Sequence, residues 1–521
     1  MHLNLFLAHN GFFRFFVSIS ILLCASIRGN AKTIICDSSQ SIAKILSGSN
    51  NTYIIQNLID LGGETVIIGD NSILRFEGGS LANGQILMNY TLIDGNALFN
   101  NVGLKGKIKN LFIDFAWFGA KGDGVHDDTQ AVQSAIDACA SLDNITTVSG
   151  RDGIYLVSKP IDLSSNPKWS RHNISIVGRT KPNPNVRKGL NILGKTGDGK
   201  AIIECIDCAQ NTFENIGLFS EGAEASTIGI VIARGEGMNY VPHATMRNCY
   251  IGIDINNKKS GLKNNGFGTI GILSKDMEES EFLNCDIWAN CCVVLANQGK
   301  VVRKTAVDKH KKPTSKYIEF HCQPFHNTAI ISKDRLSNTV FRFEDCRFVE
   351  INGEAPAIIG EGVHSLRIRD SYFQRRVAKG VSGNYDVVLH LNDAWHLKVE
   401  GVTENFGSLM FNFGSLDHSD IDVGMVIMEK GEAPLLLFKE LDTTARSCVN
   451  NKINIRSNYV GVNLVSYYPK SPNSTSSIFH IKNSVIKTNV RTNDFLSSAR
   501  LFESNNTIQF NDMIFNNYRS R

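Results

Sequence analysis

The chain has 521 residues, enough for one large repetitive domain and a smaller one. It is rich in Gly (44) and Phe (29), poor in Pro (11), and carries a formal net charge of +4. So mild a basic excess argues against nucleic acid as the main partner, and it is compatible with an anionic substrate.

The first 31 residues have the pattern of a secretory signal. Arg14 precedes an apolar run over residues 15–27, and residues 29–31 supply small side chains before a cleavage point. The run is too short to span a bilayer, and we expect no membrane span elsewhere in the sequence. We therefore predict a secreted or periplasmic bacterial protein, and leave open both surface association and lipidation at Cys24.

Cysteine usage indicates packing rather than a disulfide framework. The sequence contains 12 cysteines, and removal of the signal would leave 11, an odd number with at least one unpaired thiol. Cys205 and Cys208 form a solitary Cys-x-x-Cys, which is too little for a zinc site. Most other cysteines recur at one position of a repeat, as buried small hydrophobes do.

Residues 118–137, FGAKGDGVHDDTQAVQSAID, combine a turn with a helix. The three glycines of residues 118–124 suit a tight loop with positive φ. Residues 126–140 then predict a helix, with Asp127 or Asp128 able to cap its N-terminus. One face of this helix is apolar, and it carries Val132, Ala135, Ile136 and Cys139.

This segment resembles the N-terminal signature of the pectate-lyase superfamily of right-handed β-helices, a fold shared with phage tailspike depolymerases. The resemblance implies that the helix caps the open end of the β-helix and that the aspartates of the motif are structural. Residues 32–110 alternate apolar and polar residues between glycine turns, and they resemble a module found in secreted bacterial members. We therefore expect an all-β protein, a right-handed single-stranded parallel β-helix with an N-terminal capping helix and a small N-terminal β module.

A six-residue repeat supports this fold. Its positions are, in order, an apolar residue, any residue, Asn or Asp, a small or apolar residue, any residue and an apolar residue. Its third position falls at Asn215, Asn248, Asn284, His321, Asp345 and Asp370, in steps of 33, 36, 37, 24 and 25 residues. Such spacing predicts solenoid coils of about 22–25 residues, some with inserted loops. Asn and Asp suit a tight bend because they adopt the left-handed conformation. Stacked copies would form an asparagine ladder, with Cys249, Cys285, Cys322 and Cys346 stacked inside.

A second repeat is a continuous apolar strand, as parallel strands buried in a stack require. Its copies are residues 201–203, 228–231, 270–273, 292–295, 329–331, 357–359, 387–389, 409–411 and 435–438. The loops after these strands vary most in length, so we expect them to build the functional groove. The loop at residues 300–316 carries seven Lys or Arg side chains and Asp308, which suits either a binding surface or a solvated loop.

The predicted boundaries place the signal at 1–31, the β module at 32–110 and the capping segment at 111–150. The β-helix follows at 151–448, and terminal coils with a C-terminal cap follow at 449–521.

Residues 194–200 look like a phosphate-binding loop, but neither Ser or Thr nor a helix follows them. A Gly-His-Gly motif, which β-helix glycosidases resembling polygalacturonase carry, is missing. A two-carboxylate hydrolase stays as an alternative, with Asp334 and Glu361 as its pair.

A polysaccharide lyase is the first hypothesis for the activity. It must neutralise a uronate carboxylate, remove the adjacent proton and protonate the leaving oxygen. Lys275 and Lys333 lie in two Ser-Lys-Asp sequences that we interpret as repeat-equivalent, and Arg335 follows the second. His390 should point outward if Val387, Leu389 and Leu391 point inward. The predicted catalytic residues are therefore His390, Lys333, Arg335 and Lys275.

The predicted substrate-binding residues lie in neighbouring strands and loops, with Trp395 as a sugar-stacking platform. They are His364, Trp395, His396, Arg369, Asp334 and Glu361. The expected partner is an anionic polysaccharide such as pectin, alginate or a glycosaminoglycan, with Ca²⁺ left open as a cofactor and the oligomeric state undetermined. A non-catalytic glycan-binding solenoid is the third hypothesis, because a fold does not fix a function.

Overall fold

The computed structural model describes the chain in segments separated by gaps. The described residues are 31–36, 41–164, 171–183, 188–222, 224–233, 243–253, 269–275, 278–296, 300–307, 313–321, 338–351, 357–376, 387–404, 408–411, 416–417, 419–426, 436–439, 448–449, 452–457, 465–468, 481–482, 485–488, 507–510 and 513–516. The predicted signal at residues 1–31 thus lies outside them, apart from its last residue. Two compact units are present, residues 1–119 with 137–146, and residues 120–136 with 147–521.

The first unit contains short parallel strands that stack on one another. Its paired strands are Thr33–Cys36, Thr52–Ile55, Leu58–Asp60, Thr65–Ile67, Ile73–Phe76, Ser80–Gly95 and Phe99–Ile108. The unit also contains the two-residue strand Ile113–Asp114 and the short helices Ile42–Leu46 and Phe115–Phe118. Asn83 Nδ2 donates to Asp60 Oδ2 (3.0 Å), and Asn101 Nδ2 donates to Asn83 Oδ1 (3.2 Å). Amide side chains therefore bond successive turns of this unit along its length.

The second unit is a parallel solenoid with three strands in each coil. We call them a-strands, which precede the Asn turn, b-strands, which follow it, and c-strands, which complete the coil. The a-strands are Thr147–Ser149, Ser175–Val177, Asn211–Glu214, Ala244–Arg247, Glu278–Leu283, Asn338–Glu344, Arg367–Arg376, Lys398–Glu404, Asp420–Val426, Lys452–Ser457, Val485–Thr488 and Thr507–Phe510. The later ones run on through the b position, and the strand Met513–Asn516 closes the series antiparallel to Thr507–Phe510.

The other two series run beside the a-strands. The b-strands are Asp123–Asp127, Gly153–Val157, Leu190–Gly194, Ile216–Ser220, Tyr250–Ile253, Asp286–Ala289 and Arg347–Ile351. The c-strands are Ile161–Asp162, Ala201–Ile206, Ile228–Ala233, Ile270–Lys275, Cys291–Ala296, Ile358–His364, Val387–Trp395, Ser408–Phe411, Leu436–Lys439 and Val465–Tyr468. Three short strands, Leu416–Asp417, Cys448–Val449 and Ile481–Lys482, stack beyond the ends of the c-strands. This architecture confirms the predicted right-handed parallel β-helix.

The asparagine ladder is present at the turn between the a- and b-strands. Asn215, Asn248, Asn284, Asp345 and Asp370 all have φ between 48° and 54°. Asn248 Nδ2 donates to Asn215 Oδ1 (3.2 Å), and Asn284 Nδ2 donates to Asn248 Oδ1 (2.8 Å). The left-handed turn therefore selects a short polar side chain, and the same side chain joins one coil to the next.

The prediction of His321 as the fourth ladder position is wrong. His321 ends the second strand of an antiparallel hairpin formed by Lys300–Val307 and Pro313–His321. The a-strand Glu278–Leu283 pairs directly with Asn338–Glu344, so one coil spans the whole interval from Asn284 to Asp345. The basic segment at 300–316 therefore lies largely within this hairpin, and Cys322 is outside the described residues.

Aromatic rings and thiols fill the interior of the coils. Phe282 stacks on Phe343 with ring centroids 4.7 Å apart, and Phe348 stacks on Phe373 at 4.8 Å. Cys249, Cys285 and Cys346 are buried in successive coils, and the nine cysteines whose side chains are described are free thiols. Burial raises the pKa values of Cys249 and Cys346, so these thiols pack as hydrophobes.

The helix of the opening motif is Thr129–Ser141. It begins three residues later than predicted, because Asp123–Asp127 extends as a strand beside Gly153–Val157. The predicted apolar face is correct, since Val132, Ala135, Ile136 and Cys139 are buried. Gly119, Gly122 and Gly124 have the predicted positive φ. Among the described residues, no helix has the length and apolar character needed to cross a bilayer.

We expect Asn248→Ala to destabilise the solenoid by about 3 kcal/mol. The substitution removes two ladder hydrogen bonds, worth about 1 kcal/mol each. It also places a Cβ-bearing residue without a stabilising side chain in the left-handed region, at about 1–2 kcal/mol. Asn248→Gly removes the same bonds without the backbone strain, so it should lie between Ala and wild type in urea unfolding. Equal midpoints for Ala and Gly would contradict the strain argument.

Candidate functional site

The predicted catalytic residue His390 lies in the c-strand Val387–Trp395. Its neighbours Leu389 and Leu391 are fully buried, so strand alternation directs position 390 to the outer face. In register, His390 is adjacent to Ile359 on one side and Met410 on the other. The backbone of His390 is described and its side chain is not, so its catalytic role stays a prediction.

The repeat equivalence proposed for Lys275 and Lys333 is wrong. Ser274 and Lys275 pair with Leu295 and Ala296 in the next coil, not with a second Ser-Lys-Asp sequence. Cys291–Ala296 in turn pairs directly with Ile358–His364. Residues 329–331, Lys333, Asp334 and Arg335 lie outside the described residues, as does the side chain of Lys275. Their proposed roles in catalysis or substrate binding stay predictions.

The predicted substrate-binding residues divide between two parts of the coil. His364 and Trp395 are in register on adjacent strands, as are Glu361 and Asn392. His396 follows Trp395 with a left-handed φ of 51° and an exposed side chain. The side chains of His364, Trp395 and Glu361 are not described.

Arg369 lies elsewhere, on an a-strand next to the ladder. Its guanidinium is 3.8 Å from Glu344 and 3.2 Å from Asp370, measured between nitrogen and carboxylate oxygen. The positive charge of Arg369 is therefore paired with these two neighbouring carboxylates at the exposed surface. The structure therefore separates Arg369 from the c-strand candidates, and its role in substrate binding stays a prediction.

The aspartates of the opening motif bond to their own turn. Asp128 accepts from the backbone N–H groups of Lys121 (2.7 Å) and Gly122 (2.9 Å). Asp123 accepts from Val125 N and His126 N (both 2.9 Å), and these bonds, more than the His126 ring, lower its pKa. Both carboxylates therefore hold the backbone of this turn in place, which is a structural role.

A pair of carboxyl groups that the sequence reasoning missed lies on the first two c-strands. Asp162 and Glu204 are in register on adjacent strands. Both point outward, because their neighbours Ile161, Leu163, Ile203 and Cys205 are fully buried. Adjacent strands lie about 4.8 Å apart, so the two side chains rise from neighbouring points on one face.

Asp162 is fixed in place by hydrogen bonds. Its Oδ1 accepts from Ser164 N (2.8 Å), and its Oδ2 accepts from Arg171 Nη1 (2.7 Å). Arg171 is almost fully buried and also donates to the carbonyl oxygen of Asp162 (2.8 Å). Burial of Asp162 by itself raises its pKa, but the bonds from Ser164 and then Arg171 outweigh it and leave the pKa lowered. Asp162 is therefore held as the carboxylate.

Glu204 has the opposite electrostatic environment. Burial raises its pKa, the adjacent Asp162 charge raises it further, and Lys200 offsets part of the shift. Among the residues that the structure describes, none forms a hydrogen bond with the Glu204 carboxyl. One carboxyl is thus kept ionised, and its neighbour keeps its proton to a higher pH than an exposed Glu does, which is the arrangement of an acid and a base or nucleophile.

The sequence signal for this pair was weak but readable. Ile161-Asp162-Leu163 and Ile203-Glu204-Cys205 share an apolar, acidic, apolar alternation. The first of these strands has only two residues, so it did not stand out as a copy of the apolar repeat. Within the described part of the chain, no cluster of three or more His, Cys, Asp or Glu side chains is arranged to hold a metal ion.

Comparison with known proteins gives one family match. Residues 112–204 match the family model described as rhamnogalacturonase A/epimerase, pectate lyase-like. The plasmin and fibronectin-binding protein A of Streptococcus pneumoniae (strain ATCC BAA-255 / R6) is 26% identical over 198 residues. That alignment covers 35% of this chain and 27% of the pneumococcal protein, so the chain matches only about a quarter of its relative's length.

Solved structures of low similarity include two enzymes or enzyme domains. The enzymatically active domain of tailspike protein 2 from bacteriophage CBA120 is 15% identical with a TM-score of 0.37, and the match covers 73% of this chain and 47% of that domain. A family 28 exopolygalacturonase of Yersinia enterocolitica is 10% identical with a TM-score of 0.33, covering 74% and 79%. The functional argument therefore rests on this chain's own residues. The stacked parallel coils are those of a right-handed parallel β-helix, and residues 112–204 are similar to the pectate-lyase-like family.

Proposed function

We propose that this protein hydrolyses a uronic-acid-containing polysaccharide at the Asp162–Glu204 pair. The observation that supports the proposal is that two outward carboxyls lie in register on adjacent strands with pKa values shifted in opposite directions. Glycoside hydrolysis needs two carboxyl groups with such divided roles. The matching family model spans both residues, and its description as a rhamnogalacturonase favours a pectic polymer.

The chemistry follows from the two environments. The protonated Glu204 donates its proton to the glycosidic oxygen as the bond from that oxygen to the anomeric carbon breaks. The ionised Asp162 attacks the same carbon, and Glu204 then removes a proton from the water that hydrolyses the glycosyl ester. A strand spacing of about 4.8 Å is close to the carboxyl separation of about 5–5.5 Å in retaining enzymes. Arg171 acts as a positioning residue through its bond to Asp162.

β-Elimination by a polysaccharide lyase is the second candidate function. It is favoured by the outward strand position of His390, between the buried Leu389 and Leu391, and by the register pairing of His364 with Trp395. In this reaction His390 would remove the proton beside the uronate carboxylate, and Lys275, Lys333 and Arg335 would neutralise the anion that forms. Ca²⁺, which the sequence leaves open as a cofactor, would serve this elimination reaction and not the hydrolysis.

The signal-like residues 1–31 further lead us to propose that the protein acts outside the cytoplasm.

One assay separates these reactions. Polygalacturonate, alginate and hyaluronan are incubated with the protein, with neutral dextran as the control polymer, and both new reducing ends and the ultraviolet absorbance of unsaturated products are followed. We expect reducing ends from polygalacturonate without that absorbance, lost in Glu204→Gln and retained in His390→Ala. Absorbance that disappears in His390→Ala would establish elimination and overturn hydrolysis. Neither signal, with polymer still bound, would identify a non-catalytic solenoid.

A further inference from the structure

A tyrosine stands in the first unit at a turn where the preceding coils have asparagine. Asn50, Asn71 and Tyr90 occupy one column through successive coils, because each lies two residues before one of the paired positions 52, 73 and 92. All three have a left-handed φ, of 60°, 56° and 53°. The first two members of the column therefore have the side chain that this conformation favours, and the third does not.

Tyrosine is an unfavourable residue for this conformation. A bulky side chain with a positive φ is strained, and Tyr90 is the largest non-glycine residue with such a φ among those that the structure describes. Burial of the ring does not offset the strain, since Tyr90 is 48% exposed. Its hydroxyl forms no hydrogen bond with another described residue. Strain without compensating contacts favours a functional role for the ring.

Three lysines lie beside Tyr90 on the neighbouring strand and just beyond its end. Lys107 Nζ lies 5.5 Å from the centroid of the Tyr90 ring, and Lys105 and Lys109, two residues before and after it, are exposed. Because nearly half of Tyr90 is exposed, Lys107 covers one side of the ring and leaves the rest open. Within the described part of the chain, none of the three ammonium groups forms an ion pair.

An exposed apolar pair continues this face of the unit from Lys105. Ile67, Leu87 and Lys105 are in register on three adjacent strands. Ile67 is 59% exposed and Leu87 is 39% exposed, so both aliphatic side chains are open to a partner. We call Ile67, Leu87, Tyr90, Lys105, Lys107 and Lys109 the Tyr90 surface.

The charge of the Tyr90 surface is positive. Two carboxylates adjoin it in the strand pairing. Asp70 accepts a hydrogen bond from Asn89 Nδ2 (2.7 Å), and the backbone N–H of Asp143 donates to Gly106 O (2.8 Å). Neither carboxylate pairs with the three lysines, so these cations stay available to an anionic ligand.

We propose that the Tyr90 surface binds a carboxylated polysaccharide, and this proposal shares with the proposed function only the class of polymer. The lysines would pair with uronate carboxylates as point charges on flexible stems. The C–H face of a sugar ring would pack on the open side of Tyr90. Two aliphatic side chains and one ring suit a sugar chain better than a membrane, where binding grows with the apolar area buried.

The test is isothermal titration calorimetry of polygalacturonate in the Glu204→Gln/His390→Ala background, which removes the central residue of each candidate reaction. We expect binding that weakens with added salt, and none to neutral dextran. Tyr90→Asn should weaken binding about tenfold or more. Its thermal midpoint should equal or exceed that of the parent, because Asn suits the left-handed turn. A lowered midpoint with unchanged affinity would make Tyr90 structural and overturn the proposal, as would a parent that binds no polymer.

Matched variants separate the ring, the local charge and the overall charge. Tyr90→Phe keeps the ring, so it should keep most of the affinity. Lys107→Gln should weaken binding about threefold, whereas Lys44→Gln removes the same charge from an exposed position of Ile42–Leu46 and should bind like the parent. Equal losses in the two lysine variants would reduce the effect to overall charge and contradict the proposal. Tighter binding to phosphatidylglycerol vesicles than to polygalacturonate, lost in Tyr90→Asn, would assign the surface to a membrane instead.

Discussion

Glu204→Gln should abolish most of the polysaccharide cleavage while leaving the fold intact. A positioned general acid contributes about 10²–10⁴-fold to the rate, and the amide of Gln has no proton of comparable acidity to donate. The reducing-end assay should therefore show a fall of this size in kcat, with KM changed much less. Asp162→Asn should cause a comparable loss, because an amide is a poor nucleophile.

Glu204→Gln should also make the protein more stable at neutral pH. The raised pKa of Glu204 means that the folded state favours the protonated carboxyl. The stability that this group contributes is complete below the unfolded pKa of about 4.3 and is lost as the pH rises through the folded value. Glu204→Gln removes this loss, so its thermal midpoint should exceed that of wild type at neutral pH and approach it in acid.

The pH dependence of catalysis follows from the two shifts. Activity should fall as the pH rises through the raised pKa of Glu204, because the proton donor ionises. It should also fall in acid as Asp162 becomes protonated, at a pH below the usual Asp range. The kcat profile should therefore have an acidic optimum between the two values. A profile that rises steadily into alkaline pH would contradict these assignments and would suit an elimination by His, Lys or Arg.

Arg171→Ala should destabilise the second unit by about 3 kcal/mol. The Arg171 side chain is 2% exposed, and its Nη1 bonds to the Asp162 carboxylate (2.7 Å) and the Asp162 carbonyl oxygen (2.8 Å). Its removal leaves a cavity and buried acceptors without their donor, whereas half of the Asp162 side chain stays in water, which limits the cost of the unpaired charge. Urea unfolding followed by circular dichroism measures the change.

Two companion variants identify the cause of that loss. Arg171→Lys keeps the charge and a donor, so it should recover part of the stability. Asp162→Asn keeps the side-chain volume and removes only the charge, so it should cost less than Arg171→Ala. If Arg171→Ala unfolds at the wild-type urea concentration, the buried guanidinium does not anchor the first c-strand. Arg171→Ala should also lower kcat more than it raises KM, since Arg171 acts through Asp162.

The repetitive core could be predicted from sequence because each coil reuses the same local chemistry. Asn215, Asn248 and Asn284 recur where the backbone must turn left-handed, and few residue types satisfy that requirement. His321 was misplaced for a physical reason. An antiparallel hairpin strand alternates apolar and polar residues just as a coil strand does, so sequence periodicity did not separate the hairpin strand Pro313–His321 from a coil strand.

The carboxyl pair with well-defined geometry is one that sequence reasoning missed. Asp162 and Glu204 are 42 residues apart in the sequence and become neighbours only through strand register. Contacts between coils depend on the lengths of the intervening loops, which a repeat pattern does not specify. The outward residues therefore had to be located from the strand pairing.

The most direct test of hydrolysis at the Asp162–Glu204 pair is mass spectrometry of polygalacturonate fragments produced in ¹⁸O-labelled water. Hydrolysis adds one water to each broken bond, and attack of water on a glycosyl–Asp162 ester places the label at the new reducing end. We predict saturated fragments with one labelled oxygen at each newly formed reducing end, produced by wild type and His390→Ala and greatly reduced in Glu204→Gln. Unsaturated fragments without added water, formed equally by wild type and Glu204→Gln, would contradict the account.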